Sequence, residues 1–259
     1  MSHFSAVGFP IRSSAEMLAV ARRVPASALY AQTDAGSYYR WETGGGSELW
    51  LATGPDLSLK SVVPHFTSVV RTRVRLMERV PSPDHEMDGA FRIVVAPARG
   101  GQASGDPEAG AFQLLADVPD YRRLDTLTLP VDVDMSVGAV AERIEHYASE
   151  AELRAAGSLA AIESLTPSGL FVADGVQRAP RRAEAVLYGT VLASGMRANA
   201  VGGGAFTWAR VRTHAVELEV VADPVLLPKP PVAGSILGGT FWITARLSTA
   251  WPDPITGRT

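Results

Sequence analysis

Residues 205–220, AFTWARVRTHAVELEV, alternate so regularly that a helix is excluded. Phe206, Trp208, Arg210 and Arg212 fall on one side of an extended chain, and Ala209 and Val211 on the other. A period of two marks a strand with one buried face. If His214 and Ala215 form a two-residue turn, Val211 lies opposite Leu218 and Ala209 opposite Val220. The same register sets Arg212 against Glu217 and Arg210 against Glu219. One hairpin thus provides an apolar face and two cross-strand ion pairs, although its turn lacks the glycine or asparagine that two-residue loops favour.

Aromatics share the arginine face. Phe206 and Trp208 lie on it, and Trp242 joins them if Phe241, Ile243 and Leu247 point inward. Such a face could stack single-stranded nucleic acid or an oligosaccharide. The register argues otherwise, because both arginines are already opposed by carboxylates. Grouped aromatics are rarely left bare on a monomer. Phe206, Trp208 and Trp242 are therefore expected to be covered, either by residues 1–180 or by a second subunit.

From residue 183 the pattern is all β: AEAVLYGTVLAS, GAFTWARVRT, AVELEVVA and ILGGTFWITARL. Four extended runs predict a small barrel, since closure removes exposed edges. Gly189 sits mid-strand, where a first strand would bend around a corner. The run resembles an OB-like barrel, but with four strands instead of five and a proline-rich connector, PVLLPKPPVAGS, in place of a helix. NAVGGGAFTW, ELEVVADP and GSILGGTFWITARL, with PHF at 64–66 and PSGLF at 167–171, are also similar to a bacterial family of uncharacterised proteins. That resemblance implies no activity and no catalytic residue.

The preceding chain reads as mixed. Ser13 and Glu16 have capping-box spacing ahead of Met17, Val20, Ala21 and Val24, so a helix is predicted to run to Pro25. SALYAQT, SYYRWET and SELWLAT are predicted strands, parted by turns at 34–36 and 44–46. SVVRTRVRLMERV, FRIVVA, AFQLLADV and LDTLTLPVDVDM are read as further extended segments. Ser136 is read as the cap of a helix with Val137, Val140, Ala141, Ile144, Ala148 and Ala151 as its apolar stripe. A second helical stretch is placed at LAAIESL, ending at Pro167. The expected fold class is α+β: an antiparallel-sheet body over 1–176, divisible near 81–110, then an OB-like barrel over 183–250 and a tail over 251–259.

Composition narrows the function. The net charge is −3, which weighs against nucleic acid as a partner. Cys is absent, which removes disulfides, thiol nucleophiles and cysteine zinc sites. No apolar run approaches a membrane span and the N-terminus has no signal-peptide pattern, so a cytoplasmic location away from membranes is expected. No phosphate loop, dinucleotide fingerprint, HExxH or nucleophile elbow is present, and the five histidines are scattered. Asp84, His85, Glu86 and Asp88 crowd one loop but lack the ligand pattern of a cation site. Asp132 and Asp134 share one strand side, as paired carboxylates or as ordinary surface. Arg71, Arg73 and Arg75 form a basic stripe that could hold a phosphate or carboxylate. The expected role is a non-enzymatic binding or assembly module without metal or cofactor, forming a homo-oligomer. The alternatives are a nucleic-acid or oligosaccharide binder using the aromatic face, and an enzyme whose site forms only in the folded body.

Overall fold

The computed structural model describes residues 3–95, 112–168, 170, 181–214 and 216–248. Residues 96–110 of the expected division near 81–110, the tail at 251–259 and the turn residue Ala215 lie outside the described residues. The chain opens with a 3-10 turn at Ser5–Val7 and helix α1 (Ser14–Ala21). Four strands follow: β1 (Leu29–Thr33), β2 (Gly36–Gly44), β3 (Ser47–Thr53) and β4 (Leu59–Phe66). Next come β5 (Arg71–Pro81), β6 (Gly89–Val95), β7 (Phe112–Asp117), β8 (Val131–Tyr147), helix α2 (Glu150–Ala155) and β9 (Ser164–Pro167). The last strands are β10 (Glu184–Ala198), β11 (Ala205–Arg212), β12 (Glu217–Ala222) and β13 (Ile236–Leu247).

Strand makes up 53% of the structure and helix 11%, which overturns the α+β expectation. The largest error is the helix placed after Ser136. Residues 131–147 are one long strand, and only Glu150–Ala155 is helical, capped by Ser149. The reason is burial on two sides. Met135, Val137, Ala139 and Ala141 face one apolar core, whereas Val140 belongs to a second. A strand covered on both faces loses its alternation. Its apolar residues then fall at helical spacing by coincidence. The helix expected at LAAIESL is also absent, and its end is strand β9.

The C-terminal strands do not form a small barrel of their own. β10, β11, β12 and β13 pair in a ring that β8 closes, parallel to β12 and antiparallel to β13. β8 comes from the part expected to be a separate body. A second ring runs β8–β5–β6–β7 and returns through the parallel contact of Asp117 with Thr244 on β13. The rings share the β8–β13 ladder, from Met135 opposite Leu247 to Tyr147 opposite Ile236. They stack along it: β5 takes residues 131–136 of β8, and β12 takes 138–140. Together with β9 on the edge of β10, this makes a nine-stranded mixed sheet.

β1 to β4 form a separate antiparallel sheet that shares no ladder with the other. It covers the outside of the ring, where Leu49, Leu51 and Phe66 meet Val140, Phe206, Val221 and Trp242. α1 is capped as expected, with Ser13 Oγ accepting the Glu16 amide at 3.2 Å. Its Met17, Val20 and Ala21 join the same cluster.

Gly239 holds the shared ladder close. Its φ is +143°, and a Cβ there would lie 2.0 Å from the carbonyl oxygen of Arg143. Gly157 also has positive φ, +78°, but opens to empty space. Gly239→Ala is expected to cost roughly 2–4 kcal/mol from strain and overpacking, and Gly157→Ala only about 1–2 kcal/mol. Urea unfolding of the two variants measures the difference.

Candidate functional site

The hairpin register is as the sequence predicts: Arg212 opposite Glu217, Val211 opposite Leu218, Arg210 opposite Glu219 and Ala209 opposite Val220. The ion pairs differ in part. Arg210 does reach Glu219, at 3.6 Å, but Glu219 is fully buried and also pairs with Arg197 and accepts the Val69 amide. Arg212 turns to Glu163, whose Oε1 lies 2.7 Å from its Nε.

Phe206 and Trp242 are covered by the N-terminal part, the first of the two expected outcomes, and Trp208 is not. Phe206 is fully buried edge-on to Phe66. Trp208 is half-buried, with the Arg197 guanidinium 4.1 Å from its ring centre. Trp242 donates its indole N–H to Asp117 and stacks on His3 at 4.4 Å. These residues form an internal joint between the ring and the four-stranded sheet.

Two stripes that looked separate in the sequence oppose each other across β5 and β8. Arg73 faces Asp134 and Arg75 faces Asp132, with Arg75 Nε 2.8 Å from Asp132 Oδ1. Arg71 donates to the Ser248 carbonyl. The basic stripe and the paired carboxylates are thus one cross-strand ladder on an exposed face. In the 84–88 loop, Asp88 turns inward to accept from Ser61. No group of three or more acidic or histidine side chains is arranged to hold a metal ion among the described residues.

The strongest electrostatic feature went unread in the sequence. On one face of the four-stranded sheet, Glu48 is cross-strand neighbour to His65 and Glu42, two positions along from Arg40, Trp50 and Val63. This face packs against Arg246 of β13. Glu48 Oε1 accepts from Arg40 Nε at 2.9 Å and from Thr67 Oγ1, and its Oε2 accepts from Trp50 Nε1 at 2.8 Å. Arg246 Nε stands 3.9 Å from Oε2. Burial pushes the Glu48 carboxyl up, but Arg40, Arg246 and protonated His65 outweigh it and hold the group below its usual range. His65 is 1% exposed, and neither ring nitrogen finds a hydrogen-bond partner among the described residues. Desolvation depresses its pKa to about 4, against the pull of Glu48. Asp120, paired with Arg123 at 2.8 Å, lies beyond Arg246 with its pKa raised by burial. The one available signal was a glutamate amid the apolar residues of SELWLAT. Its partners are up to 198 residues away, so spacing could not supply them.

A second group surrounds Tyr38, whose hydroxyl donates to the Met87 carbonyl and accepts the Arg122 amide. Burial keeps that phenol far above its ordinary pKa. Asp117 is raised to about 6, mainly by desolvation, with Asp88 adding to the shift and the Trp242 indole opposing it.

Open space lies elsewhere. A groove of about 780 Å³ runs between the N-terminal segment and the loops before β11 and after β12. Phe4, Pro10, Ile11, Met17, Pro224 and Val225 give it apolar walls, and Ser5, Ser13, Ser14, Arg12 and Asp223 add polar groups. NAVGGG builds one side. Asn199 Nδ2 donates to the Val7 carbonyl, and Gly204 N to that of Gly8. A Cβ on Gly202 would come within 2.3 Å of the Gly8 oxygen, so the two segments approach only because glycine stands there.

Neither a protein-family model, nor a curated protein, nor a solved structure matches the chain.

Two outcomes follow from the buried charges. Glu48→Ala leaves Arg40 with only the exposed Glu42 and takes from Arg246 its nearest carboxylate, and a loss of about 3–5 kcal/mol is expected in chemical unfolding at pH 7. Asp117 has the opposite sign. Its folded pKa lies above the unfolded value, so its contribution is full below about pH 4 and lost as pH rises through about 6. Asp117→Asn, which can still accept from Trp242, should stabilise by roughly 1–2 kcal/mol at pH 7.5 and by nothing at pH 3.5. Unfolding midpoints across that range check the sign.

Proposed function

We propose that the protein is a non-enzymatic binding module whose ligand occupies the groove between Phe4–Met17 and residues 204–225. The observation that carries this reading is a division of labour. The accessible concave surface is apolar with a few hydrogen-bonding groups, the composition of small-ligand sites. Glu48, His65, Asp88, Asp117 and Asp120 line no part of it. Catalysis needs such groups beside the substrate. His65 and Glu48 instead are sealed at 1% and 2% exposure. The ligand class this favours has an apolar body and one or two polar groups.

The aromatic-face alternative is weaker than before, because Phe206 and Trp242 are packed inside. A cytoplasmic location stays part of the proposal. No helix among the described residues is long and apolar enough to cross a membrane. Homo-oligomer assembly belongs to the proposal as well: β1 and β4 each leave one edge of their sheet unpaired among the described residues, the kind of edge that recruits another strand.

The probe 1-anilinonaphthalene-8-sulfonate tests the groove. Saturable binding at one site per chain is expected with the folded protein. Ala205→Trp, at an exposed position in the groove wall, should weaken it at least tenfold with an unchanged unfolding midpoint. Absence of saturable binding, or binding indifferent to Ala205→Trp and Val225→Glu together, rejects the proposal.

A further inference from the structure

The seam between the four-stranded sheet and the ring wall is held by charge where it is not held by apolar contact, and one member of that charge cluster can change state. His65 sits directly across the ladder from Glu48, edge-on to Trp50 at 6.5 Å. Arg40 and Glu42 of β2 and Arg246 of β13 complete its charged surroundings, with Asp120 and Arg123 behind Arg246. Glu48 is already engaged by Arg40, Trp50 and Thr67. A proton on His65 would place a third cation beside two guanidiniums, with two N–H groups to satisfy in a site that supplies neither with an acceptor.

We propose that the seam is an acid-released clasp, in which protonation of His65 frees the four-stranded sheet from the ring wall while the ladders of the ring stay intact. Topology permits the separation. The ladders of β1 to β4 run only among themselves, so opening the seam breaks no strand pairing, although it must release the bonds that Tyr38, Ser61 and Thr43 make with Met87, Arg122, Asp88 and Ala200. Leu49 and Leu51 lie on the opposite face of the sheet, in the apolar cluster with Val7, Phe9 and Phe66. The direction in pH follows from the lowered pKa of His65. Its contribution is complete above about 6.5 and is lost as pH falls toward 4. The raised acids on the ring side act in reverse. Asp117 takes up its proton near pH 6, and Asp88 and Asp120 move the same way, so the ring gains over part of the interval in which the seam weakens.

Hydrogen–deuterium exchange of the full chain at pH 7.0 and 4.5, corrected for intrinsic rates, tests the clasp. Protection of residues 36–66 should fall by about tenfold or more at the lower pH. Residues 131–147 and 236–247 should change less than about threefold. In His65→Gln, which cannot take the proton, the pH difference over 36–66 should collapse to under about threefold. An NMR titration of the His65 ring in the unaltered chain guards against a variant that fails to fold, with an apparent pKa below 5 expected. A His65 pKa near 6.5, a uniform loss over both sheets, or an unchanged pH response in a folded His65→Gln each overturns the proposal.

Discussion

The β8–β13 ladder is the constraint on which the rest depends. β13 and the middle of β8, residues 135–141, are buried on two sides, so each residue there must suit one of two interiors. Odd-numbered positions such as Val137, Ala139, Phe241 and Ile243 fill the ring core. Even-numbered ones such as Val140 and Trp242 meet the N-terminal cover. Because the same two strands close both rings, a disturbance of this ladder reaches both at once. Gly239 and the bulge between Thr240 and Phe241 are the irregularities that let so long a ladder bend. The energetic return is continuous apolar burial, about 25 cal/mol for each square ångström removed from water.

The cover differs from the ring in what holds it. Around Phe66, Phe206 and Leu49 the contact is apolar and insensitive to solution conditions. Around Glu48 and Glu219 it is ionic and almost wholly desolvated, and Arg40, Arg197, Arg210 and Arg246 reach in from four different strands. Buried ion pairs of this kind add little net stability over a hydrophobic substitute, but they tolerate no missing partner. They fix how the sheet sits on the ring more than how tightly.

This separation bears on function. The charged residues that a sequence reader would enlist for chemistry are occupied in structure: Arg73 and Arg75 by Asp134 and Asp132, Arg212 by Glu163. The groove is left with walls from Phe4, Ile11 and Met17 and little ionisable chemistry.

The sequence by itself determined whatever depends on near neighbours. The capped α1, strands β1 to β3 with their turns, and the 205–222 hairpin with its register all follow from alternation, turn residues and capping, which act within a few positions. What only the tertiary structure decided depends on which surfaces meet. Residues 135–141 are strand because two layers cover them, and no local rule distinguishes that pattern from a buried helix. The covering of Phe206 was expected, but its partner Phe66 was not. The meeting of Arg40, Glu48, His65 and Arg246 could not be read at all. A charge buried in a sheet is stabilised only by partners that folding brings from distant strands, and the order of those strands is written in no single segment.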